Sequence, residues 1–436
     1  MSSTVSEAMA PAGIQDWLGR CGSRTRVRRI PLDALEDWHT DPATGDLRHA
    51  TGRFFTVRGL DVSLPGAPVP HWSQPVLDQP ETGILGILLT YADGVPHLLM
   101  QAKAEPGNPD GAQLSPTVQA TRSNYTRAHG GRAVPYLEHF LDPDPRRIVA
   151  DVCQSEQGSW FLGKRNRNMI VEVDAARVDV LDSWRWLPLA QVRLLLAVDD
   201  LVNMDARSVL ACLPYRLPYA DAGPARHPTG ELAHWLHHER RRCRLKATPR
   251  PLAALPGWRR TDEAVVHRGG RFFRIIGLEV EAVGREVGRW TQPMLQPYGT
   301  GVAAFLTTLL DGVPHVLLRA GAEAGHAHGV ELAPTVQCTP ANLDALPPAA
   351  RPRFLDEVLA APPDRILFDS TLSEEGGRFH HARTRYLLVA TDDTTEPEGF
   401  RWATPPQLTA LLGRSRRVNV EARTLLACVR SLNPAE

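Results

Sequence analysis

The segment Gly111–Thr121, GAQLSPTVQAT, returns as GVELAPTVQCT at Gly329–Thr339, with seven identities in eleven positions at an offset of 218. A repeat on that period is far longer than a solenoid unit and has the size of a whole domain. The chain is therefore one domain written twice. Other matches keep the register: Trp17-Leu18 with Trp235-Leu236, Arg53-Phe54-Phe55 with Arg271-Phe272-Phe273, and Trp72, Gln74 and Pro75 with Trp290, Gln292 and Pro293. Ser155, Glu156, Gly158 and Phe161 recur as Ser373, Glu374, Gly376 and Phe379. Val202-Asn203 and Ala206-Arg207 recur as Val418-Asn419 and Ala422-Arg423, with the offset reduced to 216. A length of 436 residues suits two cores of roughly 200 residues each. The expected division is residues 1–213, a Pro-rich linker at 214–230, and residues 231–436.

Within a copy the pattern is mixed. Ile14–Leu18, Leu32–Trp38, Tyr136–Leu141, Leu189–Leu195 and Asp205–Leu213 read as helices. Phe54–Val62, Gly83–Leu89, Leu98–Ala102, Leu114–Thr121, Ile148–Cys153 and Met169–Val173 read as strands, and Asp93-Gly94 as a hairpin turn. Strands outnumber helices and hairpins recur, which predicts an α+β fold of mixed β-sheets flanked by helices, not a doubly wound parallel sheet.

Composition removes several function classes. The 49 basic and 49 acidic residues cancel, so a polyanion such as nucleic acid is not an expected partner. No apolar run is long enough for a membrane span, and MSSTVSEAMAPAG lacks the form of a signal peptide. The six cysteines form no C-x-x-C pair, and a cytoplasmic protein with reduced thiols is expected. His234 and His238 have a helical ligand spacing, but Arg240-Arg241-Arg242 beside them repels a divalent ion. The chain holds no G-x-x-x-x-G-K-[ST], no strand-borne G-x-G-x-x-G and no G-x-S-x-G.

Four polar blocks remain as candidates for chemistry. In Pro-Thr-Val-Gln-x-Thr, Ser115, Thr117, Gln119 and Thr121 alternate along a short strand, as they would if one face packed and the other met a ligand. Trp72 beside Gln74 suits a flat base, or else a core Trp before a turn. Lys103 and Glu105, two apart, share one strand face, either as a surface ion pair or as a reactive pair. The second choice gains weight because only Lys103, Lys164 and Lys246 are lysines among the basic residues, and an ammonium exchanges protons where a guanidinium does not. In SEQGSWFLGKRNRN, Glu156 lies near Lys164, Arg165, Arg167 and Asn168, a cluster suited to a diphosphate or to solvent. Asn124 and Tyr125 extend the repeated motif, and the Gly130-Gly131 pair that follows, next to Arg122 and Arg127, offers backbone N–H groups to a phosphate. Copy two has Gly321, Leu343 and Ala382 where copy one has Lys103, Tyr125 and Lys164, so copy one is the better bet for an active site.

Taken in order, LMQAKAEPGN, QLSPTVQATRSNYTRAHGG, SEQGSWFLGKRNRNM and VNMDARSVLACLP resemble the NDP-hexose 2,3-dehydratases of deoxysugar biosynthesis, the sugars of many antibiotics. The resemblance implies a homodimer whose subunit is two tandem Nudix-like domains from a gene duplication, with one active and one vestigial nucleotide-sugar pocket. The Nudix R-E-x-x-E-E box is present in neither half. The implied reaction acts on a dTDP-4-keto-6-deoxyhexose. A base takes the C3 proton, the C2 hydroxyl leaves, and a 3,4-diketo-2,6-dideoxy sugar results. No cofactor and no metal are implied, while a separate NADPH-dependent ketoreductase would consume the product. On this resemblance Glu156 is the base and Lys103 the acid or enolate stabiliser. Glu105, Gln119, Asn124 and Tyr125 hold the sugar, Arg165 and Arg167 the diphosphate, and Trp72 the thymine. Trp290, Thr335, Gln337, Asn342, Glu374, Arg383, Arg385 and Tyr386 would line the second pocket. The rivals are a Nudix-type nucleotide-sugar hydrolase and a non-catalytic nucleotide-sugar-binding subunit.

Overall fold

Each copy builds a seven-stranded mixed sheet of the same order, and the match extends to the side strands. In the computed structural model, which describes residues 11–22, 25–121, 133–214, 224–282 and 287–432, the first sheet runs Ile148–Ser155, Arg165–Glu172, Gly83–Ala92, Val95–Ala104, Trp184–Pro188. The second runs Ile366–Ser373, Arg383–Ala390, Gly301–Leu310, Val313–Ala322, Phe400–Ala403. In each, the second and third strands of that order are parallel while their other pairings are antiparallel. The α+β class with mixed sheets is as the periodicity predicts. Asp93 and Gly94, both at positive φ, close the first hairpin, as Asp311 and Gly312 close its counterpart.

Two expectations need correction. Leu114–Thr121 is not one strand. Ala112–Ser115 pairs with Val95–Ala104, and Val118–Ala120 pairs with Gly83–Ala92. Pro116 has no N–H to continue a ladder, so the chain changes partner there. Leu32–Trp38 is not a helix either. Only Leu32–Ala34 makes a single 3-10 turn, Asp37 takes φ 63°, and Trp38 opens the strand Trp38–Thr40. Asp37 in the left-handed region ends any helical run, a cost that the following strand imposes.

The two smaller sheets exchange strands. Lys246–Arg250 of the C-terminal copy pairs with Thr56–Ser63, while Thr25–Ile30 of the N-terminal copy pairs with Phe273–Ala282. One apolar cluster spans both small sheets, with Val57, Leu77 and Phe161 packed among Trp258, Ile275, Leu295 and Phe379. The hairpin loops cross as well. Gly107 N–H donates to Gly376 O and Gly325 N–H to Gly158 O, each at 2.7 Å. A Cβ on Gly107 would lie 1.8 Å from the Phe379 carbonyl oxygen, and one on Gly325 1.6 Å from that of Phe161. Only glycine allows that approach.

A pair of buried arginines completes the cross-linking. Arg207, in the helix Met204–Leu210, donates to Val202 O at 2.6 Å and Ser373 O at 2.7 Å. Arg423, in the helix Val420–Ser431, donates to Val418 O at 2.8 Å, Ser155 O at 2.7 Å and Ser208 Oγ at 2.9 Å. Each arginine thus holds the last strand residue of the opposite copy. Among the described residues no helix is long and apolar enough to cross a bilayer.

Arg423→Met removes the donor from two buried carbonyls. The variant is expected to lose about 3 kcal/mol of stability, read as a lower urea midpoint at unchanged slope. A loss under about 0.5 kcal/mol would show that the cross-link is not structural.

Candidate active site

The exchange of loops creates a cavity of about 520 Å³ lined by both copies. From the N-terminal copy come Lys103 and Glu105 at the end of one central strand, Gln119 and Thr121 beyond the repeated Pro-Thr-Val, and Glu156, Lys164, Asn166 and Asp205. The C-terminal copy adds Trp290, Gln292, Glu375 and Arg378. Trp38 and Phe55 complete an aromatic wall.

Alternation along the strand puts Lys103 and Glu105 on the same wall, with Lys103 Nζ 3.4 Å from Glu105 Oε1. Gln119 Nε2 donates to the same oxygen at 3.0 Å. Glu156 follows the strand Ile148–Ser155, and its backbone N–H donates to Lys164 O at 3.0 Å, which closes the intervening loop. Asn166 Nδ2 donates to Glu156 Oε1 at 2.8 Å, and Asn166 is itself fixed because its Oδ1 accepts Gly83 N–H at 3.0 Å. Glu156 Oε2 is buried with no hydrogen-bond partner among the described residues. So are Gln119 Oε1, Asp205 Oδ1, Glu375 Oε2 and Arg378 Nε. Buried polar atoms are rarely left in this state, and five of them on residues lining one cavity mark a place shaped for a polar ligand.

The electrostatics follow from burial and crowding. Burial pushes the Glu156 carboxyl up, against the attraction of Arg423, the Asn166 hydrogen bond and Lys164. Burial also brings the Lys164 ammonium down to about 8 while its Nζ donates to Glu81 O at 2.7 Å. Glu375 is pushed up to about 7 by burial and then by Glu105. Asp205 is held well above the usual carboxylate range by burial, then by Glu156, Glu375 and Glu105. Carboxyl oxygens of Glu105, Asp205 and Glu375 lie within 4.8 Å of one another, a spacing that shares a proton or holds a cation. The cavity therefore brings together carboxyls whose hold on a proton burial strengthens and two lysines, the kinds of group that acid–base chemistry uses.

Of the other sequence candidates, Trp72 and Gln74 bond each other at 2.8 Å and Gln74 reaches Ser159 O, away from the cavity lining. Their counterparts Trp290 and Gln292 face the cavity instead. Ser115 accepts from Asn203, the N-cap of the helix Met204–Leu210, and Thr117 bridges Leu88 N–H and Leu99 O, so the first hydroxyl ties its strand to a helix start and the second ties two strands together. Arg165 is exposed, Arg167 pairs with Asp151 at 2.6 Å, and Asn168 is buried against Asn166 O. Asn124, Tyr125, Gly130 and Gly131 lie outside the described residues. Asn166, Asp205, Glu375 and Arg378 were not foreseen. Asp205 stands inside the quoted VNMDAR, and Glu375 and Arg378 inside SEEGGRF, where the exchange between copies gives them to the opposite pocket.

The equivalent place in the C-terminal copy is occupied by side chains of both copies. Tyr386 donates to Glu374 Oε1 and Gln157 Nε2 to Glu374 Oε2, both at 2.9 Å. Gln337 Nε2 donates to Glu323 at 2.9 Å and its Oε1 accepts from Asn419. Thr335 accepts Leu306 N–H, as Thr117 accepts its counterpart. Asn342 caps Phe272 N–H, Arg383 pairs with Asp200 and Arg385 with Asp369.

The raised carboxyls fix a pH dependence. A group whose folded pKa exceeds its unfolded value binds more protons in the folded state, so stability falls as pH rises from the unfolded to the folded value. Between pH 5 and 7 the wild-type chain is expected to lose stability relative to Glu375→Gln, seen as urea midpoints that separate as pH rises, with the variant's the higher. Parallel midpoints across that range would contradict the assignment.

The family model described as NDP-hexose 2,3-dehydratase matches residues 12–213 and again 229–429. A protein of Streptomyces violaceoruber named dTDP-4-dehydro-6-deoxy-alpha-D-glucopyranose 2,3-dehydratase is 51% identical over 435 residues, covering 97% of both chains. Proteins of the same name from Amycolatopsis orientalis and Saccharopolyspora spinosa are 48% and 45% identical, covering 97% and 95% of this chain and 90% of their own. A double match to one family model on a chain whose two halves share one topology leaves a single assignment: the chain belongs to the NDP-hexose 2,3-dehydratase family.

Proposed function

We propose that the chain dehydrates a dTDP-4-keto-6-deoxyhexose across C2 and C3, the reaction named in its relatives. The observation that carries the mechanism is the open oxygen of Glu156 in a cavity shared with Lys103 and with carboxyls too crowded to ionise together. The C4 ketone acidifies the C3 hydrogen. Glu156, anchored through Oε1 by Asn166, takes that proton with Oε2. The Lys103 ammonium faces the same space and stabilises the enolate that forms. Loss of the C2 oxygen leaves an enol that tautomerises to the 3,4-diketo-2,6-dideoxy sugar. Trp38 and Trp290 provide flat surfaces for the thymine, and Arg378 is a cavity cation for the diphosphate, the duty first expected of Trp72, Arg165 and Arg167.

Several finer readings rest on the family resemblance. Each half is a Nudix-like unit, supported by the parallel strand pair inside each seven-stranded sheet. The N-terminal pocket is the active one and the C-terminal pocket a vestige, supported by Tyr386 filling the space beside Glu374. The protein works as a cytoplasmic homodimer in an antibiotic or glycoside pathway and passes its product to an NADPH-dependent ketoreductase.

The test is incubation with dTDP-4-keto-6-deoxyglucose in EDTA, with a ketoreductase and NADPH as trap, followed by NMR. Loss of the C2 oxygen is expected. Release of sugar phosphate only with magnesium would instead support a hydrolase, for which Glu105, Asp205 and Glu375 are the available carboxylates. Unchanged substrate would support a binding subunit. Lys103→Ala and Glu156→Gln are each expected to lower turnover at least ~100-fold in a folded protein. Near-normal turnover in either variant removes that residue from the mechanism.

A further inference from the structure

Proton accounting leaves one role unfilled. Elimination needs one group to take the C3 proton and another to give a proton to the departing C2 oxygen, and hydroxide is too poor a leaving group to go unaided. Glu156 has the first task and Lys103 the enolate. Asp205 lies in the first turn of the helix Met204–Leu210, lines the cavity, and is only 3% exposed. Its Oδ1 has no hydrogen-bond partner among the described residues. Carboxyl oxygens of Glu105 and Glu375 lie within 4.8 Å of its own.

Three carboxyls at that spacing in a buried site cannot all be ionised, so the trio holds a proton. The neighbours decide where it rests. Glu105 accepts from Gln119 and faces the Lys103 ammonium, and Glu375 Oε1 accepts Gly377 N–H at 3.0 Å. Hydrogen-bond donors favour the ionised form of the group they reach. Oδ1 of Asp205 has none among the described residues, and burial with three neighbouring carboxyls keeps this group protonated well beyond the usual range.

We propose that Asp205 is the general acid of the elimination and gives its proton to the departing C2 oxygen; the assignment rests on the 2,3-dehydratase reading above. The step balances. The C3–H bond breaks toward Glu156, its electron pair becomes the C2–C3 double bond by way of the enolate, and the C2–O pair leaves with oxygen. That oxygen takes the Asp205 proton and departs as water. Asp205 ends ionised and Glu156 protonated, and return of one proton through the carboxyl cluster resets the site.

The assignment separates two events that a structural role would not. Asp205→Asn should lower loss of the C2 hydroxyl at least ~100-fold while exchange of the C3 hydrogen with deuterated solvent stays within a few-fold of wild type. The 2-deoxy-2-fluoro analogue loses fluoride, which needs far less proton assistance, so the same variant should process it at close to the wild-type rate. Asp205→Glu, the residue of the equivalent position in copy two (Glu421), retains a carboxyl and should recover at least ~10-fold over Asp205→Asn. Loss of C3 exchange and of fluoride elimination in Asp205→Asn, with no recovery in Asp205→Glu, would overturn the assignment. A wild-type chain inert in both exchange and elimination would overturn the dehydratase reading with it.

Discussion

Two arginines, each without solvent exposure, hold this molecule in its working arrangement. Arg207 reaches across to the carbonyl of Ser373 and Arg423 to that of Ser155, so each copy's final helices grip the end of the other copy's outer strand. A buried guanidinium is tolerated only where its donors are satisfied, and here carbonyls and hydroxyls of both copies satisfy them. The residues that follow those carbonyls are Glu156 and Glu374, so the cross-link that joins the copies also places the carboxylate at the head of each pocket. The Arg423 charge is also the strongest opponent of the burial that would keep Glu156 protonated.

Exchange between the copies gives each pocket residues of both. The Ser-Glu-x-Gly turns each give their glutamate to their own pocket and the next residue to the opposite one. Glu375 joins Glu156, whereas Gln157 bonds Glu374. Copy two has Gly321 for Lys103, Ala382 for Lys164 and Tyr386 for Asn168, so Glu374 is hydrogen-bonded by a phenol, and burial holds that phenol well above its ordinary range. The first pocket keeps its ammonium groups and its open oxygens, and borrows Glu375 and Arg378.

Much of this was legible in the residues, and the remainder was hidden for physical reasons. Internal matches reveal duplication directly, and strand alternation correctly paired Lys103 with Glu105 on one face. Scarcity of lysine pointed to Lys103 and Lys164, which both line the cavity. Repetition alone misled about Thr117, and alternation alone about Ser115, whose counterpart in copy two is Ala333. A hydroxyl that bridges two strands recurs in both copies as faithfully as one that binds a ligand, as Thr335 shows. Exchange of Thr25–Ile30 and Lys246–Arg250 between the small sheets leaves no mark in the periodicity, because each strand is as regular in a neighbour's sheet as in its own. That is why Trp72 and Trp290 carry the same internal hydrogen bond yet only Trp290 faces the cavity.

The central claim is that one cavity, chemically headed by the N-terminal copy, is finished by the C-terminal copy. Arg378 tests it most directly: its Nε is buried without a partner among the described residues, and its guanidinium lies 4.5 Å over the Phe55 ring. Measured on the folded full chain, Arg378→Met should raise KM or lower turnover of the nucleotide sugar by at least ~10-fold, the scale of one lost charge-assisted contact. Unchanged kinetics would mean that the N-terminal copy forms its site alone, and would contradict the account.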